Sequence, residues 1–237
     1  STTYNWRVHA VTEGTLSNPL EGSAMTDNPD LVTSIIAGRW DRTATWECGC
    51  IPTSADNVVV NHDVRLRSNG NANNLDINAN GTVRFANQQA RTLTVNGDLT
   101  ISSGGQFRIN SGSNRTHRID LEGDLINNGS LTLDVDADSN AEIYFTKPNG
   151  HQTISGTGTP NIFYTINLDK GLKSNILNIT SDVFTCDVNA LAFTSGGTFN
   201  FASAGTNTFS LFDATRAIPS NGKVVMNSSN STMTFIG

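Results

Sequence analysis

The chain has 237 residues and a net charge of -6, and it contains no apolar run of about 18 residues, which excludes a membrane-spanning helix and argues against nucleic acid as a partner. Asn occurs 29 times and Gly 21 times while Lys and Glu are scarce, so turn formers replace helix formers and an all-β chain is expected. Three cysteines, at 48, 50 and 186, form no C-x-x-C or Cys/His cluster, which argues against a disulfide framework and a zinc site. In chain order, residues 1–11 alternate through Tyr4, Trp6 and Val8. No signal segment precedes them, as fits either a mature exported form or a trimmed one. "NPDLVTSIIAG", 28–38, predicts a short helix, with Asn28 as N-cap, Pro29 in the first turn and Gly38 beyond the end. Residues 1–50 therefore read as an N-terminal cap, which would hide the first edge of the strands beyond it.

Past the cap the chain repeats itself. "LDINANGTVRFAN" (75–87) and "LTISSGGQFRINS" (99–111) share apolar residues at offsets 0, 2, 8 and 10 and Gly at offset 6. "LAFTSGGTFNFAS" (191–203) has the same skeleton, and a shorter copy runs from Leu125 through Gly129 to Leu131 and Leu133. Alternation implies strands with one buried face, and the Gly implies a corner at φ > 0. Gly81, Gly105 and Gly129 fall 24 residues apart, the length of one solenoid coil. The fold expected over 51–237 is a right-handed parallel β-helix, with Leu75 over Leu99, Phe85 over Ile109, and 191–203 an equivalent rung. At the far end Met233 and Phe235 alternate as a buried pair, so the last coil is expected to stay open to other subunits or further repeats.

Two stretches carry a resemblance. "GRWDRTATWECGCIPTSADNVVVNHDVRL" (38–66) resembles the entry motif of secreted β-helical surface proteins of the Bacteroidetes: a Trp pair, a Pro, an acidic turn, then alternating strands. "NGHQTISGTGTPNIFYTINLDKGLKSNILNITSDV" (149–183) is similar to the recurring phrase of the long adhesin-like proteins that this group exports by type IX secretion, some of them linked to gliding. The resemblance implies an extracellular or outer-surface, structural or adhesive role without catalysis. The runner-up is a carbohydrate-active β-helix, lyase-like or glycan-binding, for which no Asp/Lys/Arg constellation aligns between coils.

Several residues invite chemistry. Trp40, Trp46 and Pro52 suit either a hydrophobic plug or a sugar-stacking platform, with the plug favoured by burial tendency. Cys48-Gly-Cys50 suits incidental cysteines better than a redox loop or a soft-metal site. The four histidines lie far apart in the sequence and form no triad or metal motif. Asp134, Asp136 and Asp138 fall on one strand face opposite Leu133 and Val135, a solvated face or a structural calcium site, though Ser139 and Phe145 break the EF-hand pattern. Finally, residues 57–118 hold seven Arg and three Asp, whereas 119–142 hold seven acidic residues and no Lys or Arg. Arg84 and Arg108 share one repeat position, and Arg65 extends their column. Stacked outward about 5 Å apart, they repel unless Asp or salt intervenes, or an anionic ligand such as an acidic surface glycan.

Overall fold

The computed structural model describes residues 2–9, 11–12, 15–16, 20–26, 30–86, 89–158, 161–212 and 216–235. They form a parallel β-solenoid of about eight turns, almost without helix. Each coil visits three sheet faces in turn. The first face stacks Leu31–Thr33, Asn57–Val60, Leu75–Ile77, Leu99–Ile101, Leu125–Asn127, Gln152–Ser155 and Ile176–Ile179. The second stacks Gly38–Arg39, Asp63–Leu66, Thr82–Phe85, Gln106–Ile109, Ser130–Thr132, Asn161–Phe163 and Thr185–Cys186. The third stacks Gly70–Ala72, Thr92–Val95, Arg115–Leu121, Ser139–Phe145 and Thr165–Asp169.

Alternation sets which side chains enter the core. Leu75 pairs with Leu99 and Phe85 with Ile109, as the repeat predicts. Leu75, Ile77, Val83, Phe85, Leu99, Ile101 and Phe107 are wholly buried, and Ile109 nearly so. The Phe85 and Phe107 rings stack at 5.9 Å. Each such side chain contributes about 1.5–3 kcal/mol on leaving water. The long ladder repeats this contribution coil after coil.

The corners depend on glycine for a reason other than the expected one. Gly81, Gly105 and Gly129 do not have positive φ; in this corner that conformation belongs to Gly104, at φ +85°. A Cβ on Gly105 would instead lie 2.6 Å from the Ile77 carbonyl oxygen, and one on Gly129 would lie 2.4 Å from that of Gly105. At these two positions the coils stack too closely for any side chain. Asn amides ladder elsewhere: Asn200 donates to Asn178 at 2.9 Å, and Asn227 to Asn200 at 2.8 Å.

Three sequence expectations are corrected. Residues 30–38 form no helix: Leu31–Thr33 is a strand paired with Asn57–Val60, and Gly38–Arg39 is a strand paired with Asp63–Leu66. Edge pairing onto the first coil outweighs the local cap signal, and Asn28 and Pro29 lie outside the described residues. The one helical turn among the described residues is Thr43–Thr45. Next, 191–203 is not equivalent to 99–111. Leu191–Phe201 starts on the third face beside Thr165–Asp169 and turns onto the first beside Ile176–Ile179, at Gly196 and Gly197, both at positive φ. The same strand–glycine–strand wording thus serves a different corner. Lastly, Asp134–Asp136 is not a strand with a buried opposite face. It folds back antiparallel onto Ser139–Phe145 as a hairpin, leaving Val135 exposed and Asp138 in the turn.

The two ends differ. At the start Trp40 and Trp46 are 1% exposed and meet edge to face at 5.2 Å, and Trp46 Nε1 donates to the Trp40 carbonyl at 2.9 Å. They plug the first coil, so neither ring is available to stack on a sugar. Before them, Thr2–Val8 and Leu20–Thr26 form an antiparallel hairpin. At the other end Gly222–Met226 pairs, among the described residues, on one edge only, with Leu191–Phe201, and Val224, Met226 and Met233 are half-buried. The Phe235 side chain lies outside the described residues.

Candidate functional site

The outward positions of the second face carry a basic lane. Strand pairing puts Arg39 beside Arg65, Arg65 beside Arg84, and Arg84 beside Arg108, one guanidinium per coil at the parallel-strand spacing of about 4.8 Å. Thr132 occupies the next rung. Arg65, Arg84 and Arg108 are thus brought together as their repeat positions imply. Arg39 was not legible from the repeat, because its strand is two residues long and has no apolar alternation.

The four guanidinium groups are not equivalent. Arg39 is clamped by Asp41 through two hydrogen bonds, Nε at 2.8 Å and Nη2 at 2.5 Å. Arg84 is clamped in the same bidentate way by Asp63, at 2.7 and 2.8 Å. The Arg84 hydrogen bonds, with the fields of Arg65 and Arg108 behind them, hold the Asp63 carboxyl below the usual carboxylate range. Arg65 forms no ion pair among the described residues, and its buried Nε has no hydrogen-bond partner. Among the described residues Arg108 reaches only the Asn110 amide oxygen, at 3.4 Å. Its neighbour at the position corresponding to Asp63 is Thr82, which cannot clamp it. Along the lane the order is clamped, free, clamped, free.

Parallel to this lane runs a neutral one, in which Thr82, Gln106 and Ser130 occupy successive rungs above Asp63. Gln106 and Ser130 also line an open cleft of about 310 Å³ on the adjoining corner, with Gly104, Gly105, Gly129 and Thr157. The backbone N–H groups of Gly105, Gln106, Gly129, Ser130 and Gly158 are spent on bonds within the stack, so the polar lining is made of small hydroxyls and side-chain amides. The cleft had no sequence signal beyond the glycine spacing. Guanidinium groups beside hydroxyl and side-chain amide groups suit a ligand that is both anionic and rich in hydroxyls.

Elsewhere the chemistry closes in on itself. Asp134, Asp136 and Asp138 do not converge, and no group of three His, Cys, Asp or Glu residues suited to a metal exists among the described residues. Asp136 instead accepts hydrogen bonds from the backbone of Gly112 at 3.4 Å and of Asp138 at 3.1 Å. Cys48 and Cys50 are joined in a disulfide, whose loop is too short to hold the fold together by chain entropy. Ser113 and His117 meet at 2.9 Å, a contact that the sequence spacing did not suggest. Arg91 N–H donates to His117 Nδ1 at 3.2 Å, so the ring proton of the neutral imidazole sits on Nε2 and points at the Ser113 oxygen. That imidazole cannot take the hydroxyl proton, and both side chains are sealed, at 1% and 2% exposure. Burial, reinforced by Arg91, pulls the His117 pKa down to about 4. Lys170 is likewise enclosed, its ammonium bonded to Gln152 Oε1 at 2.8 Å, and burial pulls its pKa down to about 8. Both bases belong to the interior.

Comparison with protein-family models, curated proteins and solved structures found no match to this chain.

Proposed function

We propose that this solenoid is a non-catalytic adhesive module of a bacterial outer surface or extracellular filament, and that it holds acidic surface glycans along its second face. The observation that carries the reading is the in-register column of Arg39, Arg65, Arg84 and Arg108 beside a hydroxyl-lined cleft. Stacked like charges repel, and a bound polyanion relieves that repulsion along the whole column. Export, in the manner of the type IX cargo that the sequence resembles, is part of this reading. So is a further rung, from another subunit or repeat, beside Gly222–Met226, whose outer edge has no partner strand among the described residues.

The experiment is titration with hyaluronan and polygalacturonate, with neutral dextran as the control. Binding of the acidic polymers that weakens as salt rises and is lost in Arg65→Ala/Arg108→Ala supports the reading. Failure to bind either acidic polymer overturns it. Ultraviolet absorbance from unsaturated products during incubation would replace it with a lyase.

A further inference from the structure

The clamped–free alternation along the basic lane sets a spacing. Arg65 and Arg108 lie two rungs apart, about 10 Å at parallel-strand spacing. Between them Arg84 has both carboxylate oxygens of Asp63 on its guanidinium. An anion arriving at Arg84 meets that carboxylate as well as the cation. An anion arriving at Arg65 or Arg108 meets a guanidinium to which, among the described residues, no carboxylate is hydrogen-bonded. We infer that the ligand is an acidic polysaccharide with an alternating repeat, one carboxylate per disaccharide, rather than a homopolymer charged at every sugar. This rests on the glycan-binding reading and deepens it.

A two-rung step matches the length of a disaccharide, so successive carboxylates fall on Arg65 and Arg108. The intervening neutral sugar lies across the Arg84 rung, where Thr82 offers a hydroxyl to it, with the Gln106 amide one rung on, beside Arg108. Asp63 is then the specificity-determining residue: it cancels one cation in the column and so fixes the period of charge that the lane accepts. Its depressed pKa keeps it ionised at any pH near neutrality.

The test compares hyaluronan, with one carboxylate per disaccharide, and polygalacturonate, with one per sugar, at equal carboxylate concentration and low salt. The wild-type chain should bind hyaluronan about tenfold more tightly, the worth of one misplaced charge-assisted hydrogen bond. Asp63→Asn releases Arg84 and leaves three adjacent free cations, so it should close that gap by strengthening polygalacturonate binding. Equal binding of the two polymers by the wild type, or a preference for polygalacturonate, overturns the inference while leaving the glycan-binding reading in place. Failure to bind either polymer overturns both. The wild-type comparison decides the matter even if Asp63→Asn folds poorly.

Discussion

The second and third faces carry arginines in similar positions on similar strands, and they use them differently. On the third face Arg118 bonds Asp120 at 2.7 Å and lies 3.6 Å from the centre of the Tyr144 ring, while Glu142 is its neighbour on the next rung. The Tyr144 hydroxyl donates to Glu142 at 2.7 Å, and burial together with that carboxylate pushes its pKa up to about 12. Each charge in this cluster has an internal partner. On the second face, among the described residues, no carboxylate is hydrogen-bonded to Arg65 or Arg108, and the one Asp63 carboxylate whose field reaches both is bound to Arg84. The charge reversal along the sequence therefore has two outcomes: Asp120 and Glu142, from the acidic stretch after residue 118, neutralise the Arg118 cluster on the third face, and the second face keeps its excess. An arginine's partners, more than its exposure, decide whether it serves the fold or a ligand.

The comparison can be broken most strongly from below. Phe107 is wholly buried beneath the basic lane, so Phe107→Ala should cost about 3–5 kcal/mol in urea denaturation and disturb the lane above it. A cost under about 1 kcal/mol would mean that the second face does not rest on the shared core.

Acid probes the seam between the two faces, because His117 of the third stacks on Phe85 of the second at 4.5 Å. Its folded pKa of about 4 lies below the unfolded value near 6.5, so the unfolded chain takes up the proton first as pH falls. The stability present above about pH 6.5 should therefore drain away between about 6.5 and 4, by up to about 3 kcal/mol. His117→Gln should flatten that slope. An unchanged slope in the variant would place the acid sensitivity in other groups.

Smaller effects sharpen the contrast. Arg118→Ala should cost about 1 kcal/mol, the sum of an exposed ion pair and a cation–π contact. Arg65→Ala should stay within about 0.5 kcal/mol of wild type, as surface substitutions do, and should stabilise slightly at low salt by relieving repulsion. Equal losses at both sites would erase the distinction between the faces. Smallest of all, millimolar calcium should leave the melting temperature unchanged, since Asp134, Asp136 and Asp138 do not converge; a rise would reveal a site formed on binding.

Much of the fold was legible because stacking forces regularity on the sequence. The offsets of Leu75, Ile77, Val83 and Phe85 recur at Leu99, Ile101, Phe107 and Ile109 because each residue must fit the one below it. The face occupied by 191–203 was not legible, since a glycine pair marks a corner without saying which one. The capping signal at Asn28–Pro29 misled because it is local, whereas Leu31–Thr33 is held by the next coil. Within the site, the arginine column could be read from the repeat. The clamps could not: Asp63 reaches Arg84 across 21 residues, a diagonal contact between coils that register alone reveals.

The close stacking of coils also bears on how the protein ages. Asn–Gly sequences are chemically fragile, because the glycine amide nitrogen attacks the asparagine side chain and deamidates it through a cyclic imide, and asparagine is a thermolabile residue in general. This chain contains such pairs at 69–70, 80–81, 96–97, 128–129, 149–150 and 221–222. The first lies where Gly70 enters a strand paired with Thr92–Val95. At the other sites the glycine N–H is already engaged: Gly81 with Asn78, Gly97 with Asn73, Gly129 with Asn127, Gly150 with Asn175 and Gly222 with Pro219. The attacking nitrogens are held in fixed geometry by the contacts that build the corners. A chain this rich in asparagine would be short-lived as a random coil. Wound into rungs, it is protected against slow hydrolytic decay for as long as it stays folded.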